Sequence, residues 1–270
     1  MCSRCVIYFC AMYGTIISME NVLEQSLSAM KVAKLYFVES LQKNSEVRRY
    51  VASRISQKTI DRWEVGYNPG YGHLIDRLND NNTPAELAEE LGLIKATDGG
   101  KYKEAFRSRI MIPIRHGGKT VAFAGRIFGK CNQAKYINSK NSFLYNKNEV
   151  LFGLNENRNN IRRSKTVILV EGYFDLLYLY DKGIRNVACL GGVTLSDRHA
   201  AVIKRYAKSV IILTDGDDAG EKSATKIKKD LARSGLPSED IRLPAGKDPD
   251  TFLEEVGKTE FLNYIGETHD

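Results

Sequence analysis

The chain has 270 residues, length enough for a substantial core in one large or two small domains. With 43% hydrophobic and 27% charged residues it is neither low-complexity nor fibrous, and no apolar run approaches the roughly 20 residues a membrane span needs. Its net charge of +7 is concentrated: residues 101–165 carry 15 Lys/Arg against 3 Asp/Glu, whereas the whole chain carries 40 against 33. Such a block suits a polyanionic partner. Scattered charge more often means a solvated face, but aromatic, Asn and Ser residues interleave with the charges here.

Residues 1–30 read as a lead-in whose notable element is Cys2-Ser3-Arg4-Cys5. The five cysteines (Cys2, Cys5, Cys10, Cys131, Cys189) are odd in number and irregularly spaced, which argues against a disulfide framework and for a reducing compartment. The apolar stretch Val6 to Ile17 is too short to span a bilayer and has no small-residue cleavage site, so a cytoplasmic location is expected. From about Asn21 to Arg54, Val22, Leu23, Leu27, Met30, Leu35, Val38 and Leu41 recur at helical spacing, which predicts two or more amphipathic helices. Asn68-Pro69-Gly70 marks a turn, and Thr83-Pro84-Ala85-Glu86 predicts a helix start with Thr83 as N-cap and Pro84 in the first helical position. That helix is expected to end near Gly92.

After Lys101 the period changes. Arg109 to Ile114 and Thr120 to Ala124 read as strands joined by a Gly-rich hairpin, and Asn138 to Asn160 reads as polar and loop-rich. From Thr166 onward, strands near 166–170, 187–190 and 209–214 alternate with helices near 174–183, 196–207 and 219–234, and a short strand is expected at Ile241-Arg242-Leu243. The pattern predicts an α/β parallel sheet with covering helices, preceded by a mixed α+β basic subdomain.

Three acidic clusters stand out in the second half. Val167-Ile168-Leu169-Val170 runs into Glu171 and, four residues on, Asp175; Val210-Ile211-Ile212-Leu213 runs into Asp215 and Asp217; Asp248-Pro249-Asp250 closes the series. Function in open α/β sheets gathers beyond the carboxyl ends of the strands, and crowded carboxylates there require a cation. A helical turn after Gly172 puts Glu171 and Asp175 on one side, and the glycines at 216 and 220 are expected to let the backbone approach a ligand. Taken singly, Asp217 or Asp218, Asp250 and Asp175 each fit a helix-capping or helix-start position equally well. Six carboxylates meeting around shared metal beside a cationic groove is the joint expectation. The four histidines are scattered and read as structural or surface residues.

Glu171-Gly172-Tyr173-Phe174-Asp175, Asp215-Gly216-Asp217-Asp218-Ala219-Gly220 and Leu243 to Thr251 resemble the three signatures of a Toprim domain, in the version found in bacterial replicative primases of the DnaG type. Upstream, Phe106-Arg107-Ser108-Arg109-Ile110-Met111-Ile112-Pro113-Ile114, Ala124-Gly125-Arg126, Ala134-Lys135-Tyr136-Ile137-Asn138-Ser139 and Leu151-Phe152-Gly153-Leu154 resemble primase segments in order and spacing. Ala124 and Ala134 stand where Gly and Pro are usual, and Ile55 stands where a Gly usually follows the basic residue at Arg54. The resemblance covers roughly residues 31–260.

The resemblance implies a Toprim-type sheet and a DNA-directed RNA polymerase that makes short primers on single-stranded DNA from ribonucleoside triphosphates. It implies a site holding Mg2+ or Mn2+, two ions, with Asp215, Asp217, Asp250, Asp175 and Asp248 as ligands and Glu171 as ligand or general acid/base. Arg54, Arg126, Lys135, Tyr136, Asn138 and Ser139 match residues expected to hold template and nucleotide. Tyr136 beside Ile137 fits ordinary core packing equally well.

The expected division is a lead-in over 1–30 with the remnant of a zinc ribbon, the basic subdomain over 31–163, the Toprim domain over 164–257, and the start of a helical region over 258–270. Cys2 and Cys5 have the spacing of one zinc-ligand pair, yet four ligands are required, so no zinc is expected. A replicative helicase is a partner of the family, but its binding domain is not expected within this chain. The rival readings are another Toprim protein of nuclease or topoisomerase type, and a non-catalytic remnant that binds single-stranded DNA.

Overall fold

A computed structural model describes residues 19–129 and 133–267. The expected zinc-ribbon remnant at Cys2 and Cys5 lies outside the described residues, as do Cys10 and Cys131. The chain forms two compact units: one takes the residues up to Val51 together with Asp61–Asn146, the other Ala52–Ile60 together with Lys147–Asp270. Among the described residues no helix is long and apolar enough to cross a membrane.

In the first unit α1 (Met19–Lys43) buries Val22, Ser26, Ala29, Met30, Ala33, Tyr36, Phe37 and Leu41, a spacing of three and four that lays one stripe against a sheet. α2 (Ser45–Ala52), α3 (Gln57–Trp63, its first four residues grouped with the second unit), β1 (Gly66–Asn68), α4 (His73–Asp80), α5 (Ala85–Glu90) and the short hairpin of β2 (Ile94–Ala96) and β3 (Tyr102–Glu104) follow. β4 (Arg109–His116) and β5 (Lys119–Ile127) form the expected hairpin. Its turn residues Gly117 and Gly118 both have positive φ, 58° and 79°, the two-residue turn whose twist matches the strands. With β6 (Tyr136–Asn138) the antiparallel order is β1-β4-β5-β6. Phe37, Leu74, Leu87, Phe106, Met111 and Phe123 form its core. The helix start at Thr83 shifts by one: Pro84 is the N-cap, and the Thr83 hydroxyl instead accepts from Asn81 Nδ2 at 3.1 Å.

The second unit holds α6 (Leu154–Ser164), β7 (Thr166–Val170), α7 (Tyr173–Asp181), β8 (Val187–Cys189), α8 (Asp197–Lys204), β9 (Ser209–Leu213), α9 (Asp218–Arg233), β10 (Ser238–Ile241) and α10 (Pro249–Tyr264). The sheet is parallel with order β10-β9-β7-β8. Val167, Leu169, Val210 and Ile212 point to one core with Ala200, Ile203, Ala224, Ile227 and Leu231 of α8 and α9. Each Val, Leu or Ile side chain so buried contributes about 1.5–3 kcal/mol. α6 replaces part of the loop expected over 138–160, and β10 lies three residues before the expected strand. Because strand order reverses at β7, a crevice opens beyond its carboxyl end, and the acidic motifs follow there.

Candidate functional site

Asp175, Asp248 and Asp250 each offer a carboxylate oxygen, and these oxygens lie within 4.8 Å of one another. Local sequence explains the placement. Gly172 is the N-cap of α7 and Asp175 its third residue, with the Gly172 N–H donating back to the Asp175 carboxylate. Asp248 is the N-cap of α10: its Oδ1 accepts from Thr251 N at 3.0 Å, Thr251 Oγ1 answers the Asp248 N–H at 3.1 Å, and Pro249 starts the helix. Asp250, in the first turn, is buried.

The electrostatics follow from the crowding. Burial, then the charges of Asp250, Asp215 and Asp248, push the Asp175 carboxyl up to about 7. Burial, then a hydrogen bond and charge from Asp248, push Asp250 up to about 7 as well. Burial works against the charge of Asp248, but hydrogen bonds from Asp250 and Thr251 outweigh it and hold Asp248 below the usual range. The Asp248–Asp250 pair therefore shares a proton near neutrality when no cation is bound.

Asp215 follows β9 closely enough for its charge to act on Asp175. Asp217 is exposed and caps α9, its Oδ1 accepting from Gly220 N at 2.7 Å. Glu171 continues the alternation of Val167 and Leu169, and lines a cavity of about 310 Å³ with Leu190, Thr194, Ser223, Lys226 and Asp230. It is thus outside the three-carboxylate group, although Glu171 and Asp175 both act electrostatically on buried Cys189. The close approach that Gly216 and Gly220 permit is to neighbouring backbone. A Cβ at 216 would overlap the Pro244 carbonyl oxygen, and one at 220 the Asp215 carbonyl oxygen. The glycines let the two motif loops be stitched together, Gly216 N to Lys247 O at 2.8 Å and Gly246 N to Gly216 O at 3.0 Å.

The donor set fits a divalent cation. It is all oxygen, and Asp250 Oδ1 is buried with no hydrogen-bond partner among the described residues, which leaves acceptor capacity in the cluster. Arg54, expected among nucleic-acid contacts, stands at this cluster: Nη1 is 3.4 Å from Asp250 Oδ2, and the guanidinium lies 5.8 Å from the Phe174 ring centroid.

In the first unit, β5 and β6 bring Arg126 opposite Tyr136. A recess of about 520 Å³ is lined by Glu46, Tyr50, Arg126, Phe128 and Lys135. The Arg126 guanidinium lies over the Tyr50 ring at 5.2 Å, Lys135 Nζ is 6.0 Å from the Tyr136 ring, and Tyr50 meets Phe128 edge-on at 5.5 Å. Ile137 packs on the core and its neighbour Tyr136 is half-buried, so strand alternation turns Tyr136 to the other face. Asn138 pairs across from Ala124. Ser139 is buried, and its hydroxyl accepts from Phe123 N at 3.0 Å, which commits it to the fold. Tyr50 and Phe128 were not singled out in the sequence; no local pattern joins residues so far apart. Arg109, also buried, donates to Gly125 O at 2.9 Å and Ala134 O at 3.0 Å, and so ties the approaches to Arg126 and Lys135 together.

The family described as "DNA primase catalytic core, N-terminal domain" matches residues 36–158, and the family described as "Toprim-like" matches residues 168–253. A curated DNA primase from Aquifex aeolicus is 36% identical over 257 residues, covering 94% of this chain and 51% of its own length. One from Myxococcus xanthus is 39% identical over 216 residues, 78% of this chain and 36% of that protein. The chain thus spans about a third to a half of these relatives. The crystal structure of the zinc-binding and RNA polymerase domains of the Aquifex aeolicus primase superposes with a TM-score of 0.87 at 35% identity, over 98% of this chain and 67% of that one. A DnaG primase catalytic domain bound to single-stranded DNA gives 0.83 at 27% identity, over 92% and 82%.

Proposed function

Because the chain belongs to the bacterial DnaG-type primase family, we propose that it is a DNA primase, synthesising short RNA primers on single-stranded DNA by nucleotidyl transfer. The observation that carries this reading is the meeting of Asp175, Asp248 and Asp250, contributed by two of the three Toprim motifs, in a chain whose first half matches the primase core. The proposed division keeps a lead-in over 1–30, the basic subdomain over 31–163, the Toprim domain over 164–257 and a helical region from 258, although the first boundary falls inside α1 and residues 52–60 and 147–163 cluster with the second unit. The reading carries a cytoplasmic location.

In this reading Asp175, Asp248 and Asp250 hold Mg2+, or Mn2+ in its place, with Asp215 adding negative potential and Glu171 contributing a further oxygen or moving a proton. Bound divalent ions supply charge stabilisation for the attacking 3′-hydroxyl and the leaving pyrophosphate. Asp217 supports the site by fixing the start of α9. Arg126 and Lys135 neutralise phosphates, and Tyr50, Phe128 and Tyr136 offer ring faces to bases.

The test is direct. Purified protein is given single-stranded DNA, labelled ribonucleoside triphosphates and Mg2+ or Mn2+. Short RNA products that disappear in Asp215→Ala are expected. DNA cleavage would replace this reading with a nuclease, and DNA binding with neither reaction would replace it with a passive binding module.

A further inference from the structure

The segment Ala52–Ile60 clusters with the second unit, and a specific attachment holds it there. Asp181, the last residue of α7, accepts from Ser56 N at 3.2 Å, from the Ser56 hydroxyl, and from Thr59 Oγ1 at 2.5 Å. Ser56 immediately precedes α3, its carbonyl accepting from Thr59 N and Ile60 N at 3.0 Å each. Burial works against the charge of Asp181, but the hydrogen bonds from Ser56 and Thr59 outweigh it and hold the carboxyl below its usual range. Ile55, 2% exposed, fixes the chain between this attachment and Arg54. Arg54 then lies over Phe174 at 5.8 Å and reaches Asp250 Oδ2 at 3.4 Å. One helix, α7, thus carries Asp175 and Phe174 in its first turn and the anchor for Arg54 at its end.

We propose that Asp181 is a positioning residue: its latch on Ser56 and Thr59 sets Arg54 against Asp250, where Arg54 competes with the divalent cation for a carboxylate oxygen and attracts nucleotide phosphates. The phosphate half rests on the polymerase reading; the cation half rests only on the carboxylate cluster. A guanidinium beside Asp250 occupies an oxygen and places like charge next to an incoming cation. Removing it tightens cation binding and weakens binding of an anionic nucleotide. Opposite effects on the two ligands are the signature. A merely structural Asp181 would loosen α3 and α7 and weaken both.

The experiment measures the Mn2+ dissociation constant, from the electron paramagnetic resonance of free Mn2+, and the nucleotide KM. Four proteins are compared: wild type, Arg54→Ala, Asp181→Ala and the double variant. Arg54→Ala is expected to tighten Mn2+ and raise KM, each by about tenfold, the scale of outer-sphere substitutions. Asp181→Ala should move both in the same directions, and the double variant should match Arg54→Ala alone. Asp181→Asn keeps one acceptor oxygen and should give smaller shifts in the same directions should the alanine variant not fold. Asp181 variants that leave both quantities unchanged, weaken both, or add fully to Arg54→Ala would overturn the latch. Absence of RNA synthesis by wild type would remove the polymerase reading, while the Mn2+ series still decides the latch.

Discussion

Asp175→Asn is expected to abolish primer synthesis while making the cation-free protein more stable at pH 8. Both effects come from one carboxylate. As a ligand, Asp175 helps hold the charge that stabilises nucleotidyl transfer, and its loss is expected to cost about 4 kcal/mol of barrier, a thousandfold in rate. As a buried anion among Asp250, Asp215 and Asp248, it opposes folding once ionised. Its carboxyl sits at about 7 against an unfolded value near 3.8, so ionising it at pH 8 costs on the order of 4 kcal/mol. Asparagine keeps an oxygen to accept the Gly172 N–H and carries no charge. Thermal melting in the presence of a chelator should show Asp175→Asn melting several degrees above wild type at pH 8. The gap should narrow by pH 5 and close below about pH 4, where Asp175 is protonated in the folded and unfolded states alike. A variant less stable than wild type at pH 8 would mean that Asp175 is not crowded by neighbouring charge.

The second large effect is a pH-dependent stabilisation by Mg2+. For Asp175 and the Asp248–Asp250 pair, the folded protein binds more protons than the unfolded chain. Their contribution is therefore fully present below about pH 4 and is lost as pH rises through about 7. His199 opposes this. Burial lowers it to about 4, so its contribution rises with pH and is complete by about 7, the unfolded histidine being deprotonated there. Between about pH 7 and 8 the carboxylates dominate, and apo stability should fall. Saturating Mg2+ should reverse that loss at pH 8, by about 2.7 kcal/mol at a hundred times its dissociation constant, and do almost nothing at pH 5. Calorimetric melts at the two pH values, with and without Mg2+, check this. Equal Mg2+ shifts at pH 5 and pH 8 would place the ion elsewhere.

The parallel sheet was legible because Val167 to Val170 and Val210 to Leu213 are short apolar runs of β-branched and Leu residues, each ending at an acid. The β4–β5 hairpin was legible from Gly117-Gly118. Three-residue strands such as β1, β2 and β6 are too short to show a period. α6 was hidden by composition: Asn155, Asn157, Asn159 and Asn160 disfavour a helix, and tertiary contacts override that, including Asn157 Nδ2 to Val187 O at 2.8 Å. The acidic motifs were visible, but their division of labour was not. A carboxylate after a strand and before a helix satisfies both the capping pattern and the ligand pattern, so sequence alone does not separate Asp217, which caps α9, from Asp248, which caps α10 and also joins the cluster. Arg54 reaches Asp250 across a separation of 196 residues, and nothing local announces that pairing.

Equilibrium binding of Mn2+ at pH 8 to wild type and to Asp250→Asn tests most directly whether Asp175, Asp248 and Asp250 form one cation site. Wild type should bind saturably, and the substitution should weaken binding by at least about tenfold, since it removes the charge of a buried ligand and turns one of its two oxygens into an amide nitrogen. Equal affinity in the two proteins would contradict a shared site at Asp175, Asp248 and Asp250.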